Sequence, residues 1–305
     1  MLTQIKDGNV VKIEGILSEI ALEAKEFTKN GVPTKGVGGH IKVRVDTQIN
    51  GQDTVLEIPV HMFATATTNA GTPNPAYESI SRVMNEFVSI AASDIEHADR
   101  VRITKGDIRM NEYYGQDGRL VSFPRIGASF VSKIKREECK PKAEFTVTFM
   151  VGQAGFELDR DGVETNKYKI LGMIPQYGGR VDVVPFFAYN PGVIDAVSQY
   201  WEQGCTVRAA GRLNFTSETR EVETKVDFGD PVIDTKTFSI SELVITGGSA
   251  TPLDGEFAIS EDDMTEALEK RKAYLAELKA KATDKGASGK APAPTAGNKF
   301  KDLGF

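Results

Sequence analysis

The stretch from Asp99 to Arg136, DRVRITKGDIRMNEYYGQDGRLVSFPRIGASFVSKIKR, contains two β-rich runs on either side of a polar turn. The runs are Arg100–Ile108 and Leu120–Ile134, and the segment Tyr113–Gly118 lies between them. Alternating apolar and polar side chains, with many β-branched residues, are typical of half-buried strands, and Gly and Asp favour a tight turn. This stretch therefore predicts a long β-hairpin.

Similar β-rich runs fill most of the chain up to about residue 250. Two segments, Pro75–Ala92 and Pro191–Glu202, have apolar residues at helical spacing instead, and each follows three predicted strands and precedes two. Five strands with a helix between the third and the fourth are typical of the OB fold, a small Greek-key barrel. The remaining predicted strands are Val10–Ile16, His40–Thr47, Thr54–Phe63, Phe145–Val151, Lys167–Ile174, Val181–Phe187, Thr206–Leu213 and Thr237–Ile245.

The two halves of the chain also resemble each other. Val60-His61-Met62-Phe63-Ala64 before the first helix matches Val184-Pro185-Phe186-Phe187-Ala188 before the second. After the helices, Gly106-Asp107-Ile108 matches Gly211-Arg212-Leu213. A repeat that agrees at several points in the same order indicates a tandem architecture. We therefore predict a mainly β protein with two OB-type five-stranded barrels, residues 1–138 and 139–250; two unrelated β-rich domains are the alternative.

The C-terminal region has a different composition. Residues 251–282 are predicted to form an acidic segment and a helix that ends at about Ala282, because Ser260 is a suitable N-cap and acids follow it. Residues 283–305 are predicted to be a flexible tail, since Lys285–Lys299 consists largely of Gly, Ala, Pro, Ser and Lys. The tail ends in apolar residues, and either it docks a partner protein or it is a frayed terminus. The predicted docking residues are Asp302, Leu303 and Phe305.

The charge of the chain is unevenly distributed. Its 305 residues have a formal net charge of −6, but seven acids and no base lie between Asp254 and Glu269, whereas Val101–Pro141 has nine Lys or Arg against five Asp or Glu. Local charge decides phosphate binding, so the net charge does not exclude a nucleic-acid ligand. The two cysteines are far apart, and the sequence contains neither a bilayer-length apolar run nor a secretory signal, which predicts a cytoplasmic protein.

The sequence offers little for catalysis. Its three histidines are well separated, and it contains no phosphate-loop, metalloprotease or nucleophile-elbow motif. The glycine-rich segment Gly36-Val37-Gly38-Gly39 is not followed by a helical pattern, so it is predicted to be a flexible loop between strands. We therefore predict a protein that is not an enzyme and uses no cofactor or metal.

Binding single-stranded nucleic acid requires cations for the phosphates and exposed rings on which bases stack. Alternation predicts an outward face with Val121, Phe123, Arg125, Val131, Lys133 and Lys135, and a core face with Ile126, Ala128, Phe130, Ser132 and Ile134. The alternatives are that the cations only solvate the sheet and that the rings pack in the core. The predicted DNA-binding residues are Lys42, Arg44, Arg102, Arg109, Tyr113, Tyr114, Arg119, Phe123, Arg125, Lys133, Lys135, Lys169, Arg180, Arg208 and Arg212.

The segment Val101–Ile134, its counterpart Val207–Leu213 and the aromatic-ended tail resemble bacterial and phage single-stranded DNA-binding proteins. This resemblance implies sequence-nonspecific binding and protection of single-stranded DNA in replication, recombination or repair, with protein partners at the tail. The apparent second barrel favours a phage version, which would act in the cytoplasm of a bacterial host. The single acid of the tip, Asp302, departs from the family pattern. The competing interpretation is a structural or assembly protein that uses its barrels for protein contacts and binds no nucleic acid.

Overall fold

A computed structural model of the protein describes residue 2 and residues 4–29, 31–115, 117–159, 161–224 and 232–288. The described chain is mainly β, as predicted, and each predicted helix lies between the third and fourth strands of its half. The elements are β1 (Asn9–Lys29), β2 (Val32–Ile49), β3 (Gln52–Thr65), α1 (Pro75–Glu86), β4 (Arg100–Tyr114), β5 (Leu120–Gly127), β6 (Ser132–Ile134), β7 (Lys142–Leu158), β8 (Glu164–Gln176), β9 (Arg180–Ala188), α2 (Pro191–Tyr200), β10 (Thr206–Thr224), β11 (Val232–Gly248) and α3 (Glu261–Ser288).

The strand pairings close two rings of hydrogen-bonded strands. In the first ring, β1 pairs with β2, β2 with β3, β3 with β5, β5 with β4, and β4 with β1. In the second ring, β7, β8, β9, β11 and β10 pair in the same cyclic order. The β3–β5 and β9–β11 pairings are parallel, and the others are antiparallel. Alternate residues of each strand fill the ring interior; in β3 these are Leu56, Ile58, Val60, Met62 and Ala64.

One antiparallel ladder joins the two rings. It pairs β1 with β7 from Asn9 opposite Val147 to Glu14 opposite Lys142, with Val11 opposite Phe145. Val11 also pairs with Gly106 of its own ring, and Phe145 pairs with Gly211 of the second ring. Equivalent residues of the two rings therefore lie opposite each other, so an approximate twofold axis passes through the Val11–Phe145 pair.

Each ring also extends a hairpin towards the other ring. Strand β10 lies against β3, and β4 lies against β9. The backbone N–H of Met110 in β4 donates to Asp182 in β9 at 2.9 Å, and Arg271 of α3 forms an ion pair with Glu112 of β4. The two hairpins and α3 therefore hold the rings together on both sides of the β1–β7 ladder.

The structure corrects three sequence-based predictions about elements. The predicted strand Leu120–Ile134 is divided into β5 and β6, and the alternation does not continue across residues 128–131. Phe130 is therefore 55% exposed and Val131 is buried, the reverse of their predicted positions. The segment from Gly36 to Gly39 lies inside β2 and is not a loop. Helix α3 continues past the predicted end at Ala282 to Ser288.

The repeat alignment is also corrected at the third strand. The bulge in β1 between Leu17 and Glu19 matches the bulge in β7 between Val151 and Gln153. Following the register outward from these bulges places Pro59 and Pro185 at equivalent positions of β3 and β9. His61 then matches Phe187, and Phe63 matches Tyr189, two residues away from the predicted match. The pairing register fixes this alignment, whereas the motif match relied on side-chain similarity alone.

The carboxylate of Glu14 is nearly inaccessible to solvent and is held by three donors. Arg102 donates to it from Nε at 2.8 Å and from Nη2 at 3.2 Å, and the backbone N–H of Lys140 donates at 2.6 Å. The bond from Arg102, opposed by burial, holds the pKa of Glu14 below its ordinary value. A carboxyl group whose pKa is lower in the folded state contributes stability at neutral pH, and this contribution is lost as the pH falls through the folded-state pKa.

We expect Glu14→Gln to lower the free energy of unfolding at pH 7 by about 2 kcal/mol, because a buried charged acceptor is lost. The difference from wild type should disappear in acid, where Glu14 itself is protonated. Urea unfolding at the two pH values measures both effects. Glu26→Gln, at an exposed position, is the matched control and should change little. An equal loss of stability at both pH values would contradict the ion-pair explanation.

Candidate nucleic-acid interface

A cleft of about 780 Å³ opens on the first ring between residues 4–10 and strands β3, β4 and β5. Its lining contains two carboxylates, Asp7 and Asp107, against a larger number of cations. No carboxylate of the described residues lies at ion-pair distance from Lys6, Lys105 or Arg125. The cleft therefore presents excess positive charge to an anionic ligand. The lining cations are Lys6, Lys25, Lys105, Arg109 and Arg125.

An aromatic ring at the edge of this cleft rests on glycine backbone. Phe63 lies opposite Gly38 in the β2–β3 ladder, and a Cβ on Gly38 would come within 2.7 Å of Cδ2 of Phe63. The neighbouring Phe27 ring lies 6.0 Å from the Phe63 ring, centroid to centroid, at a tilt of 42°. Phe63 is nevertheless 56% exposed. The glycine-rich segment of β2 therefore makes a seat for the ring of Phe63, which leaves ring surface open to solvent.

His61 and Arg125 lie close together beside this ring. His61 pairs with Gly127 of β5, and the side chains of His61 and Arg125 both line the cleft. Burial lowers the pKa of His61 to about 4, with further contributions from the positive charges of Arg125 and His40. At neutral pH His61 is therefore uncharged, and Arg125 supplies the positive charge at this point of the cleft.

The β4–β5 hairpin continues the cleft with further rings. Arg109 lies opposite Arg125 and Asn111 opposite Phe123, so these side chains and Tyr113 project from one face. The rings of Tyr113 and Phe123 meet edge to face with centroids 6.4 Å apart, and the two residues are 48% and 41% exposed. Phe123 and Arg125 therefore share an outward face, as predicted. We call this surface the aromatic-cationic track; it comprises Phe63, Lys105, Arg109, Tyr113, Phe123 and Arg125.

Tyr114 does not belong to the track. The alternation of β4 places it on the opposite face from Tyr113, together with Glu112, whose carboxylate is bound by Arg271 of α3. The structure therefore places Tyr114 apart from Tyr113 and Phe123, with which it was predicted to form a cluster. The sequence placed both tyrosines at a loop tip, where alternation does not apply, but in the structure both lie within β4.

Six of the predicted cations are engaged with carboxylates. Arg102 binds Glu14. Each of the other five cations also pairs with a carboxylate, which reduces the positive charge that the cation offers to a ligand. These partners lie on neighbouring strands or two residues away, and the sequence alone did not pair them. The other five pairs are Lys42–Glu19, Arg44–Asp46, Arg109–Asp107, Arg119–Asp117 and Lys133–Asp99.

The remaining predicted cations have no carboxylate at ion-pair distance within the described ranges. Arg125 belongs to the track. Arg208 lines a second cleft with Phe257, which shares residues 4–8 with the first cleft, and Arg212 lines a crevice at the β1–β7 ladder. The structure therefore does not bring all predicted DNA-binding residues together. Among the described residues, the predicted cations without a carboxylate partner are Arg125, Lys135, Lys169, Arg180, Arg208 and Arg212.

Sequence reasoning missed two members of the track, Phe63 and Lys105. The alternation of β3 contained the signal for Phe63, because the residue falls in phase with the outward His61 and out of phase with buried Met62. No comparable sequence pattern marks Lys105. It lines the cleft because β4 forms part of the cleft wall. The predicted docking residues Asp302, Leu303 and Phe305 lie outside the described residues.

Two classes of site are not found in the described part of the chain. No group of three or more His, Cys, Asp or Glu side chains is arranged there to hold a metal ion. Of the helices described, none has both the length and the apolar character needed to cross a membrane.

A family model described as YorF matches residues 7–281 of the chain. No curated protein matches the sequence. Solved structures similar to the chain include two of the single-stranded DNA binding protein from Thermus aquaticus, each 10% identical in sequence. The wild-type structure has a TM-score of 0.46 and the match covers 81% of this chain and 94% of that one. The structure of a deletion mutant has a TM-score of 0.48, with 81% and 95% covered. A likeness of this size does not identify a ligand.

The position of Arg125 beside His61 leads to a test that needs no ligand. In the variant Arg125→Gln, the pKa of His61 should rise from about 4 towards its ordinary value of 6.5, because one of the charges that disfavours the imidazolium is removed. Burial is the larger cause and persists, so the rise should be incomplete. An NMR titration of the His61 ring measures it. Arg119→Gln, at an exposed turn position, is the control, and an unchanged His61 titration in Arg125→Gln would contradict the described geometry.

Proposed function

The chain belongs to the YorF family, and we propose that its first ring binds single-stranded DNA without sequence preference through the aromatic-cationic track. One observation carries the proposal. The exposed ring of Phe63, seated on glycine backbone, lies at the edge of the same cleft as Arg125 and Lys105, which have no carboxylate partner among the described residues. Stacking surface next to free cations is what a single strand requires of its binding site.

The arrangement of the track favours a single strand over a duplex. Rings bind bases by stacking, and the bases of a duplex are already stacked on each other and paired. The track offers Phe63, Phe123 and Tyr113 along one continuous surface, with Arg109 and Arg125 between the rings. Every base has a face on which a ring can stack, so this surface selects unpaired strands with little preference for sequence.

We further propose that each ring is an OB-type barrel. Support comes from the shared cyclic strand order, the parallel contact between third and fifth strands, and the helix between third and fourth strands. OB barrels bind oligonucleotides with the face of their second and third strands and with the loop between the fourth and fifth. Phe63 and the β4–β5 hairpin occupy these locations. The domain limits predicted above, residues 1–138, 139–250, 251–282 and 283–305, belong to the same proposal, except that α3 carries the third segment on to Ser288.

A role in replication, recombination or repair, and the attribution to a phage, stay predictions from the sequence. So does partner docking by the C-terminal tip, which follows from apolar residues placed after a long polar linker. We expect deletion of residues 299–305 to leave DNA affinity within about twofold, because no ring of the track is removed. The same deletion should abolish capture of a replication or recombination protein; retention of every partner would exclude the docking role.

Phe63→Ala should weaken binding of oligo(dT) by about 1–3 kcal/mol, the cost of losing one stacking platform. Arg125→Gln should reduce the salt dependence of binding by about one released ion. Fluorescence anisotropy with single-stranded and duplex DNA at two salt concentrations measures both effects. Tyr177→Ala removes an exposed ring at the turn between β8 and β9, outside the track and both clefts, and should not change affinity.

Three outcomes would count against the proposed function. They are equal binding of duplex and single strand by wild type, binding of neither at low salt, and normal binding by the Phe63→Ala variant. Assembly into large particles without affinity for nucleic acid would favour the structural role that the sequence left open. Circular dichroism and thermal unfolding of each variant separate lost binding from lost folding.

A further inference from the structure

The register of the two rings allows each track residue to be matched with its counterpart in the second ring. Gly106 and Gly211 are equivalent because each pairs with the residue at the twofold axis. Three residues further along each hairpin, the pair Arg109–Arg125 of the first ring corresponds to Asn214–Glu242 of the second. Two residues beyond that, Phe123 corresponds to Ile240.

The third strands give the same result. Phe63 of β3 corresponds to Tyr189 of β9, and Gly38, which seats Phe63, corresponds to Lys167 of β8. On the hairpin, Lys105 precedes Gly106 at a bulge of the β1–β4 ladder, and the residue that precedes Gly211 is Ala210. The three track cations thus have Ala210, Asn214 and Glu242 in their places.

These counterparts form a closed hydrogen-bond network centred on Glu242. Lys167 Nζ lies 2.9 Å from Oε1 of Glu242, Tyr189 donates its hydroxyl to Oε2 at 2.8 Å, and Asn214 donates to Oε2 at 3.3 Å. Burial, together with the bond to Glu242, raises the pKa of Tyr189, so its hydroxyl keeps its proton and remains a donor at neutral pH. The network neutralises the charge of Lys167 and holds the ring of Tyr189 through its hydroxyl.

We propose that single-stranded DNA binds to the first ring only, and that Glu242 keeps the equivalent face of the second ring closed to DNA. This inference rests on the proposed function. A carboxylate at the position of Arg125 repels a phosphate where the first ring attracts one. Glu242 also binds Lys167 and Tyr189, the cation and the aromatic side chain that would otherwise be available to the strand.

The second ring retains what it needs to bind once the carboxylate is removed. Lys169 lies on the same face of β8 as Lys167, and it has no carboxylate at ion-pair distance in the described ranges. The ring of Phe187 lies 5.8 Å from Nζ of Lys167. Glu242→Gln keeps the size of the side chain and one acceptor oxygen for Tyr189 and Asn214, removes the charge and releases Lys167. This variant therefore tests the closure without dismantling the face.

The experiment counts the short oligonucleotides that bind to one chain. Isothermal titration uses oligo(dT) of about 10 nucleotides, a length that one OB barrel accommodates. Wild type should bind one molecule per chain, and Arg125→Gln should weaken this event. Glu242→Gln should add a second, weaker binding event that is lost at high salt. At low salt, the Glu242→Gln protein should bind oligo(dT) of about 35 nucleotides about threefold or more tightly than wild type does. Glu202→Gln makes the same change in net charge at an exposed position of the second half and should behave as wild type.

The outcomes separate this inference from the proposed function. If wild type binds no oligonucleotide, the proposed function fails and the inference fails with it. If wild type binds and Arg125→Gln weakens binding, the proposed function stands. In that case, two binding events in wild type, or no second event in a folded Glu242→Gln protein, would overturn the inference alone. Glu242→Arg places the residue type of the first ring at this position and should strengthen the second binding event. If the folded Glu242→Arg protein shows no second event, the inference is overturned as well.

Discussion

The antiparallel ladder between β1 and β7 is the interaction on which the arrangement of the molecule depends. A strand has two edges, and an edge without a partner exposes a row of unsatisfied N–H and C=O groups. The first part of β1 pairs with β4 on one side and with β7 on the other, and β7 likewise pairs with β1 and β10. The closure of each ring and its attachment to the other therefore use the same short segments.

This ladder also determines where functional side chains can lie. Because β1 and β7 occupy the junction, the long hairpin of each ring lies against the third strand of the other ring. The hairpins cross the junction, and the contact of Met110 with Asp182 and the ion pair of Arg271 with Glu112 fix the first hairpin against the second ring. The face of β4 that carries Glu112 is thereby used for packing, which leaves the opposite face, with Tyr113 and Phe123, exposed to solvent.

The sequence predicted those features that depend on local periodicity. Alternation identified the strands, and it placed Phe123 and Arg125 on one outward face. It failed at Phe130 and Val131, because a break in the strand resets the phase and no residue type marks the break. It also failed for the segment from Gly36 to Gly39, where composition suggests a loop. There Gly38 has no side chain, and this makes room for the ring of Phe63 in β3, a residue that is distant from Gly38 in sequence.

Interactions between distant strands were beyond the reach of the sequence. Arg102 and Glu14 are 88 residues apart, and only the closed ring brings them together. The equivalence of Phe63 with Tyr189 likewise required the pairing register, since the short motifs matched better when shifted by two residues. What the sequence supplied was therefore the set of side chains with the right chemistry, and the topology decided which of them meet.

The covalent link between the rings has a consequence for how such a protein can change. In an assembly of two identical chains, a substitution appears in both copies of a site, and association depends on protein concentration. Here the two rings are different parts of one chain, so a substitution affects one ring alone and the rings cannot separate on dilution. A residue such as Glu242 can therefore arise in one ring while Arg125 is kept in the other. Equivalent positions of the two rings can then differ, while each ring still supports the other through the β1–β7 ladder.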